Sequence, residues 1–193
     1  MTFDQFLEKV ASEPNRRTER DVRVATDELT ADVHRRGGMR LTDFVAEPRK
    51  TVARRVLRTG HLLGPGVSPV ALAEWKARWP RHPLPDDLGT LLGRVNGIHL
   101  WANLDTGRSY DGLAPLEEWN LARVKMWGAD ADEGLLADRY LALSYNSDSA
   151  AFIVLNVETG QYFLMDSAGA DESSPIGGNV GTLLDWLWEH RIP

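Results

Sequence analysis

Three apolar, strand-like segments at residues 140–145, 151–157 and 161–166 follow one another with only a turn between each pair. Asn146, Ser147 and Asp148 open the first gap, and Glu158, Thr159 and Gly160 fill the second; these are mostly residue types that turns favour. A parallel crossover needs a dozen residues or more, so neighbours joined this closely are antiparallel. A helix follows at 180–190, where Leu183, Leu184, Leu187 and Trp188 recur at helical spacing and Asn179 stands at the N-cap.

Upstream of this meander the patterns alternate. Residues 69–79 (Val70, Leu72, Ala73, Trp75, Ala77, Trp79) read as a helix that halts before Pro80. Residues 85–95 read as a second, with Pro85 in its first turn, Asp86 and Asp87 near its positive end, and Asn96-Gly97 as its stop. Residues 98–103 and 109–113 read as paired strands around Asp105-Thr106-Gly107, and 115–127 as a helix carrying Leu116, Trp119, Val124 and Trp127. The expected fold is α+β: an antiparallel sheet, hairpin plus three-stranded meander, with helices packed on one face. A helical N-terminal extension precedes it.

That extension is assigned residues 1–60. Phe3, Phe6, Leu7 and Val10 keep helical spacing, with Thr2 and Gln5 placed for a capping box. Val22, Ala25, Leu29 and Val33 continue the period to a stop at Gly37-Gly38. A third helix at 49–58 sets Val52, Ala53, Val56 and Leu57 against Arg54, Arg55 and Arg58. This basic face is open to three readings: a solvated surface, a dock for a partner or second copy, or a contact with nucleic acid or membrane. Gly60, Gly64, Pro65 and Gly66 mark 61–68 as a linker, and 69–193 as the main domain.

Charge divides the chain as sharply as pattern does. Residues 1–60 carry 13 Lys+Arg against 10 Asp+Glu; residues 61–193 carry 9 against 18 and hold all seven Trp and all four Tyr. Large aromatics dominate core burial, so the main core belongs to the second part. The net charge of −6 argues against a general nucleic-acid binder, whose affinity comes from cationic side chains. The absence of cysteine removes disulfides, thiol catalysis and cysteine-ligated metal centres, and fits a reducing compartment. No stretch approaches the roughly 20 apolar residues of a membrane span, and residues 1–10 lack the basic and apolar regions of an export signal. The expected location is the cytoplasm.

Known catalytic patterns are missing. There is no GxSxG, phosphate-loop or HExxH motif, and His34, His61, His82, His99 and His190 are scattered, none three or four residues from another. The acidic run from Asp130 resembles a calcium loop but has Leu135 and Leu141 where glycine and glutamate are needed. Ser144, Asn146, Ser147, Asp148 and Ser149 read as turn chemistry. The adjacent pairs Asp86-Asp87 and Glu117-Glu118 point apart on a helix and share no site. The expectation is a protein without catalytic residues, metal or cofactor. Trp186 and Trp188 stand about 200° apart on their helix, so one of them approaches the surface or meets the N-terminal part.

Leu84-Pro85-Asp86-Asp87-Leu88, Leu91-Leu92 and Asn96-Gly97, with Trp75 and Trp79 upstream, resemble the opening signature of the SMI1/KNR4 (SUKH) superfamily. Tyr140–Leu143, Phe152–Leu155, Thr159-Gly160, Tyr162–Asp166 and the closing Leu183–Leu187 are similar to its strand pairs and last helix. The resemblance covers roughly residues 69–191 and leaves 1–60 outside. It implies an α+β recognition domain without catalytic residues, in which Leu84, Pro85, Asn96 and Gly97 are structural. Many bacterial members of that family look like immunity proteins that neutralise a cognate toxin; fungal members act as regulatory scaffolds.

The expected function is therefore an immunity protein that binds a cytosol-acting toxin with a basic catalytic domain, a nuclease or deaminase, by occluding its active site or substrate groove. Its partner is that protein, not nucleic acid or membrane. The alternatives are a non-enzymatic regulatory scaffold or adaptor, and an enzyme of unrecognised type. The contact residues expected are acids in loops, free to reach a partner: Asp130, Asp132, Glu133, Asp138, Asp171 and Glu172, with Trp127 as an aromatic anchor.

Overall fold

The computed structural model describes residues 1–24, 51–104, 111–127, 138–144, 151–166 and 169–190. The chain divides into a larger unit, Met1–Asn15 with Thr59–Pro193, and a smaller one, Arg16–Arg58. This differs from a boundary at 60–68, because the first helix belongs with the main core.

In the larger unit, α1 (Phe3–Ser12) begins with the expected capping box: the Gln5 N–H donates to the Thr2 hydroxyl at 3.2 Å, and the Thr2 N–H to Gln5 Oε1 at 2.8 Å. Its Phe6 is fully buried, edge-on to Trp188 with ring centroids 6.0 Å apart. Helix α2 (Pro69–Arg78) is capped by Ser68 and buries only Trp75, which meets Trp79 and Trp119. Helix α3 (Asp86–Arg94) buries Leu88, Leu91 and Leu92.

Helix α3 passes directly into β3 (Val95–Asn103). Asn96-Gly97, expected as a helix stop, therefore opens a strand. Val95 and Ile98 are buried, which favours extended backbone at once, and Gly97 takes the turn-like φ of 92°. Strand β3 pairs antiparallel with β4 (Asp111–Leu113), as the hairpin reading required, and with the end of β2 (Thr51–Pro65). The expected linker at 61–68 is thus strand through Pro65. A Cβ on Gly64 would lie 1.9 Å from the Asn96 carbonyl oxygen, so this glycine permits two strands to approach rather than loosening the chain.

The expected helix at 115–127 is three pieces: a 3-10 turn (Leu116–Glu118), β5 (Asn120–Leu121) and α4 (Ala122–Trp127). Trp119 is buried and its indole N–H donates to the Ala114 carbonyl at 2.8 Å, while Asn120 and Leu121 pair with Ala142 and Leu141. The pairing with Ala142 and Leu141 wins over local helical propensity.

The meander is β6 (Tyr140–Ala142), β7 (Phe152–Asn156) and β8 (Gln161–Asp166), all antiparallel. With β5 and an unanticipated β9 (Gly169–Ala170) it makes a five-stranded sheet in chain order. Leu141, Ile153, Leu155 and Tyr162 enter the main core with Leu183, Leu184 and Leu187 of α5 (Val180–Glu189). Tyr140, Ala142, Phe152, Val154, Phe163 and Met165 form a second core with Ala122. Every residue of β7 is buried, so the sheet is covered on both faces rather than one. The unbroken apolar run Phe152–Leu155 is the pattern of such a strand.

Asn179 caps α5 by accepting the Thr182 N–H at 2.9 Å. Asp87 accepts the Leu88 N–H at 2.9 Å and the Val180 N–H at 2.7 Å, joining the N-termini of α3 and α5. Trp188 lies against Phe6 and His61, whereas Trp186 stacks on His190, so the two tryptophans part as their spacing demanded.

In the smaller unit, β1 (Arg16–Val24) lies beside β2. Val22 and residues 51–58, read as helical, are strands. The spacing of four between Val52 and Val56 in the sequence fits a strand period as well as a helical one, and β-branched residues favour the strand. Residues Ala25, Leu29, Val33, Gly37, Gly38, Arg49 and Lys50 lie outside the described residues.

Phe6→Ala is expected to lower unfolding free energy by about 3–5 kcal/mol in urea titration, the usual cost of emptying a buried aromatic site. A loss below about 1 kcal/mol would mean that α1 is not part of the core. Asp87→Ala, which strips two helix N-termini of an acceptor, is expected to cost about 1–3 kcal/mol.

Candidate functional site

Of the acids expected to form an interface, Asp130, Asp132 and Glu133 lie outside the described residues, and Trp127 ends α4. The other three are engaged within the chain. Asp138 is exposed and pairs with the Arg123 guanidinium at 2.5 Å, while its backbone carbonyl accepts the His82 Nε2–H at 2.6 Å. Glu172 accepts from Arg139 Nη2 at 3.0 Å and from the Tyr140 hydroxyl. Asp171 holds a turn, accepting the Ser173 N–H at 3.2 Å and its hydroxyl at 2.6 Å.

The expectation that loop acids are free is therefore corrected for Asp138, Asp171 and Glu172. Arg123 and Arg139 neutralise two of them. The fold does bring Asp138 and Glu172 to one strip, because Arg139 and Tyr140 follow Asp138 directly and both contact Glu172. Burial, followed by the bond to Glu172, pushes the Tyr140 pKa up, so this phenol stays a hydrogen-bond donor. The arrangement is a cross-brace between β6 and the segment after β9.

A second cluster was not legible in the sequence. Glu13, His61 and Trp101 stand 40 or more residues apart, yet His61 Nε2 lies 3.0 Å from Glu13 and its Nδ1 accepts the Trp101 N–H at 3.3 Å. The His61 ring sits 4.5 Å from that of Trp101. Between the pairs Gly60↔Ala102 and Leu62↔His99, β3 has two residues opposite one, a bulge. Trp101 occupies it with φ of 50°, a region that costs a bulky side chain roughly 1–2 kcal/mol. Since Nδ1 accepts, Nε2 carries the ring proton and donates it to Glu13. Both ring nitrogens are committed, so His61 offers neither a base nor a metal ligand and instead pins α1, β2 and β3.

A third cluster joins His99 on β3, Glu118 on the 3-10 turn and Lys125 on α4. Burial lowers the pKa of both His99 and Lys125, and the Glu118 charge opposes it in each. Asn96 braces the neighbouring turn, accepting the Leu116 N–H at 2.7 Å and donating to Glu117 at 2.9 Å. Among the described residues no group of three His, Asp or Glu side chains could hold a metal ion, and no helix is long and apolar enough to cross a membrane. Neither a protein-family model nor a curated protein matches this chain.

His61→Ala is expected to lower unfolding free energy by about 1–3 kcal/mol, because it removes the acceptor of one buried donor and the donor to a carboxylate. Glu13→Gln keeps an acceptor for Nε2–H and is expected to cost less; equal losses in urea titration would show that the charge, not the bond, matters.

A pH dependence follows from His99. Its folded pKa lies below the unfolded value near 6.5, so on acidification the unfolded chain binds more protons and stability falls. Between about pH 7.5 and about pH 5.5, Tm of His99→Gln is expected to fall less than that of the parent, and Tm of Glu118→Gln more.

Proposed function

We propose that this chain is an immunity-type binding protein of the SMI1/KNR4 (SUKH) kind, which neutralises a cognate toxin acting in the cytosol. The toxin is a nuclease or deaminase with a basic substrate groove, which the chain covers.

The observation that carries this reading is the charge of the larger unit. Met1–Asn15 and Thr59–Pro193 together hold 10 Lys+Arg against 21 Asp+Glu, while Arg16–Arg58 holds 12 against 7. A groove that binds nucleic acid is basic because it must hold phosphates. An acidic body is steered to such a groove, and association quickens by roughly 10–10³-fold at low salt. Inhibition by covering a groove needs no catalytic group in the inhibitor. The elements that carry the family resemblance support the reading too: α2 with its tryptophans, Leu84-Pro85 before α3, Asn96-Gly97 opening β3, the meander, and α5, in that order.

Asp138, Asp171 and Glu172 also bond within the chain, so we assign the contact first to Asp130, Asp132 and Glu133, which follow Trp127 closely in sequence. Reversing those three charges together is expected to slow association with the toxin at least severalfold at low ionic strength, read by stopped-flow mixing. An unchanged rate removes these residues from the interface. The reading as a whole is tested by co-expression: the chain should let cells tolerate the toxic domain and should co-purify with it. Catalytic turnover by the purified chain alone, abolished by replacing one polar side chain, overturns it.

A further inference from the structure

Asn96-Gly97 is the one Asn-Gly pair in the sequence. Glycine after asparagine is the most labile setting for a side-chain amide, because no Cβ shields the following backbone nitrogen from the asparagine Cγ. Gly97 has a φ of 92°, where any other residue is strained, so a bulkier and safer neighbour does not fit. The fold therefore keeps a reactive pair and has to restrain it. Asn96 lies in β3, its Oδ1 accepting the Leu116 N–H at 2.7 Å and its Nδ2–H donating to the Glu117 carboxylate at 2.9 Å. Both atoms of the amide are thus held by the 3-10 turn, 20 residues further on, and Gly97 itself is buried. Ring closure needs the Asn96 Cγ to swing over the Gly97 nitrogen, and these two bonds oppose that swing.

We propose that Asn96 is a deamidation site that the native fold keeps shut and unfolding opens. In the opened chain the Gly97 backbone nitrogen attacks the Asn96 Cγ. A C–N bond forms, the Cγ–Nδ2 bond breaks, the attacking nitrogen gives up its proton and ammonia leaves. Solvent water then opens the cyclic imide at either carbonyl, leaving aspartate or isoaspartate in place of Asn96. Neither product restores the native brace. Aspartate has no N–H for Glu117 and sets a second carboxylate against it. Isoaspartate adds a methylene to the main chain of β3 where β2 is already close, a Cβ on Gly64 lying 1.9 Å from the Asn96 carbonyl oxygen. Unfolding is made irreversible in this way, since a chain altered while open returns to a weaker fold.

Peptide mapping of the full chain by mass spectrometry tests this, after parallel incubation in mildly alkaline buffer with and without denaturing urea. The mass gain that turns an amide into an acid is expected at Asn96 in urea. In the folded chain it is expected at least about tenfold more slowly, because a closed site reacts only through its open population. Equal rates in the two incubations, or an unaltered Asn96 in urea, overturn the proposal. Thermal unfolding tests the brace. Asn96→Asp is expected to lower Tm by a few degrees, and adding Glu117→Gln, whose amide donates to the new carboxylate, to recover part of the loss. An unchanged Tm in Asn96→Asp, or no recovery in the double variant, shows that the product does refold and overturns the claim of irreversibility. If Asn96→Asp does not fold at all, the mapping of the parent chain decides.

Discussion

Burial of β7 on both faces is the constraint from which the rest of the larger unit follows. A strand with five buried residues cannot be covered by one layer, so the sheet needs apolar surface from two directions. On one side α3 and α5 supply leucines, and α1 adds Phe6. On the other, Ala122 of α4 joins the side chains of the sheet itself in a smaller core. The 3-10 turn and β5 serve the same end, since they carry the chain from the hairpin to the meander and bury Trp119 on the way.

Polar side chains in this unit act mainly as fasteners between such layers. Asp87 joins two helix N-termini, His61 joins α1 to the bulge in β3, and Glu172 reaches Arg139 and Tyr140 from beyond β9. Each connects segments far apart in sequence, so each resists separation of elements that have little local stability of their own. Helix α2, which buries Trp75 alone, shows how slight local anchorage is here. The same economy bears on function. Acids committed to such braces have given up charge that a partner might otherwise read.

Several elements were legible from residues alone. The cap of Thr2 and Gln5, Ser68 before Pro69, Asn179 before α5 and the antiparallel meander all depend on neighbours within a few residues. Where the reading failed, the local signal supported two periods or the deciding partner was remote. The spacing of Val52 and Val56 suits a helix and a strand alike, and Gly64 reads as a break until Asn96 is seen beside it. Asn120 and Leu121 suit a helix until Ala142 and Leu141 pair with them.

The candidate site divides in the same way. The excess of acids over bases is written in the composition, and so is the lack of familiar catalytic motifs, because both are properties of residue counts and spacing. Which acids remain available is a property of geometry. Asp138 and Glu172 looked free because their partners are distant in the chain: Arg123 stands 15 residues before Asp138, and Arg139 33 residues before Glu172. The caps, the antiparallel meander and the charge follow from the residues alone, since they rest on composition and short-range chemistry. That the sheet is covered twice, that Trp101 sits in a strained bulge against His61, and that Glu172 is braced by Arg139 follow from the fold alone, because each depends on contacts across dozens of residues that no local pattern encodes.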